Sequence, residues 1–361
     1  MLKSIFTLAL ATFLLTPFAL AEDASSDAMI MELNALAKDF AAIIDKKGGG
    51  AVAIGEFSAS SDIKASVGPQ IQLVLAKAFQ TLKVPINSED YRFEIKGDYQ
   101  PLVDKETSLL GVKLVGRLID RETAEPLAER PTGRFVFGAQ SVPAMLGLNV
   151  SLKPTVEAEL LSKEFERARK NPSANIQQTI VRSAASSPFA LEILVKSNGS
   201  YTPRSIETDA KGRPLVPIKN SEVYGVRLIN KAPFEVAVDL RIDGINIFEF
   251  SETDSKYYIV GPGKQVDVLG WHKSSKSTIE FKVVDFPDTA ASKLNLKPSS
   301  SIGLITACFS ASWAKDNERP SDEPELKGRG TGFGKEIEFK TEKVSRTIGQ
   351  ARDTISVRYE R

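Results

Sequence analysis

The chain has 361 residues, of which 42% are hydrophobic and 26% are charged, and its 47 basic and 46 acidic residues give a formal net charge of +1. This balance argues against a general nucleic-acid or anionic-membrane binder, which would carry a basic excess. The single cysteine, Cys308, excludes an internal disulfide, so the fold must be stabilised by its hydrophobic cores. The length suggests about two domains.

Residues 1–21 have the layout of a secretory signal peptide. Lys3 precedes an apolar run over residues 5–15, and the small residues Ala19 and Ala21 fit a signal-peptidase site. The apolar run is shorter than the ~20 residues that a membrane-spanning helix needs. The sequence therefore predicts cleavage near Ala21 and a periplasmic or secreted protein without a transmembrane anchor.

The predicted cleavage point also bears on lipid attachment. The mature chain would begin at Glu22, whereas a lipoprotein needs a cysteine at that position. Removal of residues 1–21 takes away one lysine and no acid, which leaves 46 residues of each sign. We therefore expect a mature protein with no net charge and no N-terminal lipid.

Residues 28–148 predict an α/β domain. Apolar residues recur at three- and four-residue spacing in two helical stretches, and short apolar runs between turn signals predict strands. Three consecutive glycines after the first helix predict a flexible hinge; they do not form a P-loop, because no helix with Lys-Ser/Thr follows. The predicted helices cover 30–45 and 71–82, and the predicted strands cover 51–57, 91–99, 109–119 and 134–137.

A resemblance is carried by two phrases of this domain. The strand Ala51-Val52-Ala53-Ile54-Gly55-Glu56-Phe57, a helix, and a later strand that ends in Leu118-Ile119-Asp120-Arg121-Glu122-Thr123 resemble the N-terminal domain of the curli-secretion lipoprotein family. That domain is similar to those of the outer-membrane lipoprotein activators of peptidoglycan synthases and of the flagellar outer-membrane protein group. The relatives end this strand in Asp-x-x-Thr-Gly, whereas Ala124 follows Thr123 here. The resemblance covers residues 28–138 and implies a role in assembling envelope structures or regulating envelope enzymes, with no catalytic residues.

Residues 149–188 predict a helical linker. Its charged middle, residues 156–169, reads as a helix that ends before Asn171-Pro172, and a Ser/Ala-rich stretch closes the segment at Pro188.

Residues 189–361 predict an antiparallel β-sandwich, because short strands alternate with regular turn signals. Residues 234–242 alternate with every even position apolar, and Asp243-Gly244 then predicts a tight type I′ hairpin into 245–250. Residues 257–260 and 266–271 predict a second pair of strands joined by Pro262-Gly263, and 314–335 predict an exposed loop. The other predicted strands cover 189–195, 223–230, 279–284, 302–313, 336–343 and 354–359.

A second resemblance covers residues 205–361. This segment is similar to a recurrent C-terminal module of uncharacterised bacterial secreted proteins. The resemblance implies no particular activity. The phrases that carry it are Val223-Tyr224-Gly225-Val226-Arg227-Leu228-Ile229-Asn230, Ile242-Asp243-Gly244-Ile245-Asn246, Gly270-Trp271-His272 and Ile355-Ser356-Val357-Arg358-Tyr359.

The candidate binding surface is the predicted hairpin tip beside Trp271. Its residues are Asp243, Asn246, Tyr257, Trp271 and His272. Exposed aromatic rings there would suit a sugar or a peptide, while ordinary core packing is the alternative interpretation. His272 is the only histidine and Cys308 the only thiol, so zinc sites that need several N or S ligands are not expected. No Gly-x-Ser-x-Gly elbow is present, and we predict no catalytic residues, no metal and no cofactor.

The sequence thus predicts an α+β protein: an α/β domain with a small mixed sheet, followed by an antiparallel β-sandwich. The leading hypothesis is an exported, non-enzymatic envelope binding or assembly factor that contacts a protein partner through edge strands and loops. The first alternative is a carbohydrate-binding module for peptidoglycan or exopolysaccharide. The second is a hydrolase with an unrecognised site, which would need His272 beside an acid and a serine.

Overall fold

The computed structural model describes residues 21–59, 68–103, 110–136, 147–152, 158–253, 255–274, 276–298, 302–323 and 345–359. Over these residues the fold is α+β, with a small mixed sheet in the N-terminal part and a mostly β C-terminal region. All but the last residue of the predicted signal peptide, and the predicted strand 336–343, lie outside the described residues. The described α-helices are α1 (Ala21–Lys46), α2 (Gly68–Thr81), α3 (Ala158–Lys170) and α4 (Ala290–Lys293).

The N-terminal sheet has the strand order β1-β2-β3-β4 among the described residues. β1 and β2 are parallel, and the other two pairings are antiparallel, so the sheet is mixed as predicted. α1 and α2 pack on it through the predicted apolar stripes, with Phe40 and Phe79 fully buried. The strands are β1 (Val52–Ala59), β2 (Phe93–Val103), β3 (Leu110–Asp120) and β4 (Pro126–Val136).

The three glycines after α1, predicted as a flexible hinge, form a turn that ends the helix. Gly48, Gly49 and Gly50 all have positive φ, at 89°, 75° and 144°. The Gly49 amide donates to the Ile44 carbonyl at 2.9 Å, which ends the helix as a glycine C-cap does. Arg92 Nη1 then donates to the Lys47 carbonyl at 2.9 Å and fixes the turn against the start of β2.

The C-terminal region contains two sheets. The central sheet runs β10-β11-β20-β19-β13-β14, with β15 also paired to β13 and β5 to β20. Its pairings are antiparallel except for β11 with β20, which is parallel. Its strands are β5 (Val150–Ser151), β10 (Glu207–Thr208), β11 (Pro214–Val216), β13 (Val236–Ile242), β14 (Ile245–Asn246), β15 (Tyr258–Val260), β19 (Leu304–Trp313) and β20 (Thr347–Tyr359).

The outer sheet runs β17-β18-β12-β8-β7-β6, with β16 also paired to β12 and β9 to β8. Its strands are β6 (Asn175–Gln177), β7 (Ile180–Arg182), β8 (Phe189–Ser197), β9 (Ser200–Pro203), β12 (Val223–Asn230), β16 (Gln265–Val268), β17 (Gly270–Ser274) and β18 (Ser277–Lys282).

The two sheets enclose the second hydrophobic core of the described chain, and the alternation predicted for residues 234–242 is confirmed. Val236, Val238, Leu240 and Ile242 all point into this core. The central sheet is buried on both faces at β19, because every residue of that strand is buried. Its second face meets the first hydrophobic core, which contains the buried residues of α1, α2 and the N-terminal sheet. Val150 of β5, Phe165 of α3 and Ile245 of β14 also belong to this first core.

Three local predictions are corrected by the sheet pairing. The segment 149–188 contains the predicted helix as α3, but it also supplies β5 to the central sheet and β6 and β7 to the outer sheet. β15 and β16 do not pair with each other: β15 joins β13 and β16 joins β12, so the Pro262-Gly263 turn carries the chain between sheets. The predicted return strand 245–250 pairs only over β14.

The loop predicted at 314–335 is exposed only in part. Residues 324–335 lie outside the described chain, but Glu323 is buried. The Arg352 guanidinium of β20 donates to Glu323 Oε2 at 2.7 Å. It also donates to both carboxylate oxygens of Asp322, at 2.7 and 2.8 Å. The Arg352 guanidinium lies 4.5 Å from the centre of the Phe234 ring, so this segment is fastened to the end of the sandwich.

Candidate functional site

The Asp243-Gly244 turn has the geometry that the sequence predicts. Both residues have positive φ, at 55° and 78°, as a type I′ turn requires. Asp243 is buried, and its Oδ1 accepts the amides of Gly303 at 2.7 Å and Leu304 at 3.2 Å. The Tyr359 hydroxyl donates to the same carboxyl, at 2.9 Å from Oδ1 and 2.8 Å from Oδ2. Asp243 therefore joins the hairpin to the first residues of β19 and the last residue of β20.

Asn246 is likewise bound within the chain. Its side-chain amide donates to Asp239 Oδ1 at 2.8 Å and to the Lys256 carbonyl at 3.0 Å. Its side-chain oxygen accepts the Phe248 amide at 2.8 Å, which bends the chain just after β14. The residue shapes the loop that follows the hairpin.

Trp271 lies at the meeting point of the two hydrophobic cores and is only partly exposed. Its ring is nearly perpendicular to those of Phe250 and Phe281, with centroids 5.4 Å away in each case. The row of ring contacts continues from Phe281 to Tyr224 and then to Tyr359. Trp271 therefore belongs to a row of packed aromatic rings that ends at Tyr359, whose hydroxyl binds Asp243.

Tyr257 is the most exposed member of the predicted set, at 37%. It stands immediately before β15, while Trp271 is on β17 of the other sheet. Phe248 bridges the two sheets instead, with its ring 5.3 Å from Tyr258 and 4.7 Å from His272.

His272 contacts a serine but no carboxylate among the described residues. Its Nδ1 lies 3.1 Å from Ser251 Oγ, and its main-chain amide donates to the Ile247 carbonyl at 2.9 Å. Burial lowers the pKa of His272 below its ordinary value. Ser251 Oγ also accepts the Thr253 amide at 3.1 Å, so the hydroxyl already stabilises its own turn.

The predicted surface lies where the N-terminal part meets the sandwich. Ile245 and Trp271 pack in the first hydrophobic core, together with residues of α1 and α2. Lys77 of α2 forms an ion pair with Glu249 in the loop after β14, with a separation of 2.6 Å. On the other side of α2, Gln72 Nε2 donates to the Ile54 carbonyl at 3.1 Å and to the Lys297 carbonyl at 3.3 Å. Much of the predicted binding surface at the hairpin tip is therefore covered by other segments of the same chain.

Three further observations on the described residues concern metal binding, the single thiol and membrane spans. No group of three or more His, Cys, Asp or Glu side chains is placed to hold a metal ion within the described ranges. Cys308 is a buried cysteine on β19 that forms no disulfide, as its apolar surroundings predict. None of the described helices is long and apolar enough to cross a membrane.

The sequence analysis missed a buried acid on the last strand. Asp353 is fully buried, and its Oδ2 accepts the hydroxyls of Ser183 at 2.7 Å and Ser187 at 2.5 Å. The strand was predicted to begin at Thr354, seven residues after its observed start at Thr347, and so the prediction left Asp353 out. Continuing the alternation of Ile355 and Val357 backwards places Asp353 on the apolar face, and that pattern was a usable signal.

The fold and this site define an α+β protein whose sandwich is joined to a mixed-sheet domain through a shared core. Searches against protein-family models, curated proteins and solved structures find no match to this chain.

Proposed function

We propose that the protein is an exported, non-enzymatic binding or assembly factor of the bacterial envelope that acts through protein–protein contacts. The observation that carries the proposal is that the polar side chains of the candidate surface bind within the chain itself, while several apolar side chains are exposed. Asp243 and Asn246 bind main-chain and side-chain groups of the same chain, whereas large apolar side chains stay at the surface. Met31, Leu160 and Ile279 are 70%, 52% and 51% exposed.

A detail of the N-terminal sheet supports the envelope assignment. Ala124 has φ 57°, in the left-handed region that favours glycine. It occupies the position where the Asp-x-x-Thr-Gly relatives carry glycine. Asp120 Oδ1 accepts the Glu122 amide at 3.0 Å. The aspartate of the pattern therefore stabilises the turn that follows β3.

The edges of the sheets favour β4 as the contact strand. The outer edge of β1 already meets the chain itself, through backbone bridges from Val52 to Ile86 and from Ile54 to Leu296. β6, β10, β14 and β17 are only two to five residues long, and short edge strands resist added strands. β4 has eleven residues and pairs only with β3 among the described strands. Strand addition there is limited to either side of Pro131, which lacks an N–H group.

Photo-crosslinking of the full chain in its native envelope tests this proposal. A photoreactive amino acid would replace exposed Glu129 or Arg130 on β4, with Glu207 on β10 as the matched exposed control. We expect a discrete adduct with one envelope protein from the β4 positions and none from the control. Absence of any specific adduct at β4 would overturn the proposal.

The carbohydrate-binding alternative depends on the exposure of Tyr257. A sugar stacks on an open ring face, and two phenylalanines adjoin Trp271. Co-sedimentation with purified peptidoglycan and exopolysaccharide, comparing the wild type with Tyr257→Ala, decides it. Binding that Tyr257→Ala abolishes would favour this alternative over the protein partner.

The hydrolase alternative depends on the 3.1 Å contact between Ser251 and His272. A serine nucleophile needs a base, and the base is usually oriented by an acid. A fluorophosphonate probe applied to the wild type and to Ser251→Ala reports on an activated serine. We expect no labelling of either protein; labelling lost only in Ser251→Ala would support the hydrolase.

A further inference from the structure

Asp353 occupies a core position between the two sheets. It lies opposite Phe309 in the pairing of β19 with β20, and Phe309 stacks on Phe189 of the outer sheet with ring centroids 5.2 Å apart. The next inward residues on β20 are Ile355 and Val357, both fully buried. A carboxyl group therefore stands in a row of apolar side chains.

The polar contacts of this carboxyl come from hydroxyl groups. Ser183 and Ser187, in the loop from β7 to β8, both reach Oδ2, so a loop of the outer sheet is tied to a strand of the central sheet. Ser151 of β5 pairs with Asp353 and favours the ionised form of its carboxyl. Asp353 Oδ1, however, completes no hydrogen bond of good geometry among the described residues. Ser187 Oγ also accepts the Phe189 amide at 3.0 Å, which fixes the loop where β8 begins.

The charged side chains on the neighbouring strands are engaged elsewhere. Arg182 of β7 donates to Gln177, and Glu192 of β8 accepts from Thr179 and Arg227. Arg352, next to Asp353 on β20, binds Asp322 and Glu323, while the neighbouring strand β19 contributes the Cys308 thiol. Burial raises the pKa of Asp353 to about 7, and the serine hydroxyls offset only part of that effect.

We propose that Asp353, Ser183 and Ser187 form a proton-controlled clasp between the two sheets. With Asp353 protonated, the carboxyl is neutral in its apolar surroundings, and the serine hydroxyls can donate or accept. With Asp353 ionised, a charge is buried with no cation against it among the described residues and with Oδ1 lacking a hydrogen bond there, which favours opening of the 183–188 loop to water.

The direction of the pH dependence follows from the raised pKa. The folded protein binds the proton more tightly than the unfolded chain, so this group stabilises the fold fully below pH 3.8, the ordinary pKa. That stability is lost as the pH rises through about 7. From pH 5 to pH 8.5 we expect the unfolding equilibrium constant to rise 10- to 100-fold, on the order that this shift gives, because of Asp353 alone.

Asp353→Asn tests the clasp, since the amide has the same shape and does not titrate. Urea unfolding of the full chain at pH 5 and pH 8.5 gives the equilibrium constants, and hydrogen exchange of residues 183–189, corrected for intrinsic rates, reports local opening. We expect the wild-type loop to lose protection at pH 8.5 and Asp353→Asn to retain it. Asp288→Asn, at an exposed position, is the matched control and should behave as the wild type.

Two results would overturn the clasp: a pH dependence of stability that is unchanged in Asp353→Asn, or wild-type protection of the loop that is equal at both pH values. If Asp353→Asn does not fold, infrared difference spectra of the wild type decide the matter. A protonated carboxyl band that disappears between pH 5 and pH 8.5 supports the clasp, and its absence at pH 5 contradicts it.

Discussion

Asp243 and Asp353 are both buried aspartates of the sandwich, but they have different kinds of partner. The groups that bind Asp243 include the backbone amides of Gly303 and Leu304, which can only donate. The groups that bind Asp353 through Oδ2 are serine hydroxyls, which can donate or accept. A carboxyl held by amides is fixed as an acceptor, whereas one held by hydroxyls can gain a proton without breaking every contact. Burial alone therefore does not fix the role of an acid, and we expect the donors around it to decide whether it can take up a proton.

The largest expected effect is that of Asp243→Ala. The change leaves the Gly303 and Leu304 amides and the Tyr359 hydroxyl without their acceptor, and alanine is less suited to φ 55° than aspartate. We expect a loss of about 3 kcal/mol in the free energy of unfolding. Urea denaturation measures it, with Asp288→Ala as the exposed control. A loss below about 1 kcal/mol would mean that the turn does not depend on this carboxyl.

Tyr359→Phe removes one donor from Asp243 and leaves the ring in place. We expect a loss of about 2 kcal/mol, because the hydroxyl is partly buried and is bonded to both carboxylate oxygens. The loss should be similar at pH 5 and pH 8.5, because the backbone amides of Gly303 and Leu304 need an acceptor at either pH. A loss that changes strongly with pH would remove the distinction between the two aspartates.

Ser187→Ala makes the matched change at Asp353. At pH 8.5 the hydroxyl donates to an ionised carboxylate, and its removal should cost about 1.5 kcal/mol. At pH 5 the carboxyl is protonated in the folded chain, so the same change should cost less. Urea unfolding at both pH values measures the difference. An equal cost at the two pH values would place Asp353 in the same class as Asp243.

The sequence predicted those parts of the fold and site that depend on neighbouring residues. The turn at Asp243-Gly244 could be predicted because few residues accept two consecutive positive φ angles, and the face of β13 could be predicted from its alternation. The predicted β15–β16 pairing was wrong because closeness in sequence does not decide which sheet a strand joins.

The occupation of the hairpin tip depends on long-range contacts and could not be predicted from local patterns. Lys77 meets Glu249, and Trp271 packs in the core that α1 and α2 build. These residues come together only after two separate parts of the chain have folded. The same reasoning explains Asp353, because its alternation was visible whereas Ser183 and Ser187 reach it from a distant loop.

The smallest expected effect is that of His272→Gln, and its sign is opposite to that of Asp353. Burial lowers the pKa of His272, so the unfolded chain binds this proton more tightly and the fold loses stability as the pH falls through 6.5 and the lower folded-state pKa. Glutamine can keep the hydrogen bond to Ser251 without titrating. Between pH 7 and pH 5 we expect the variant to gain at most about 0.5 kcal/mol on the wild type, because the ring is partly solvated.

Urea unfolding in the Asp353→Asn background separates the two groups, since there the slope below pH 7 no longer contains the opposing contribution of Asp353. A variant that loses more stability than its parent on acidification would show that His272 is favoured as the cation in the folded chain.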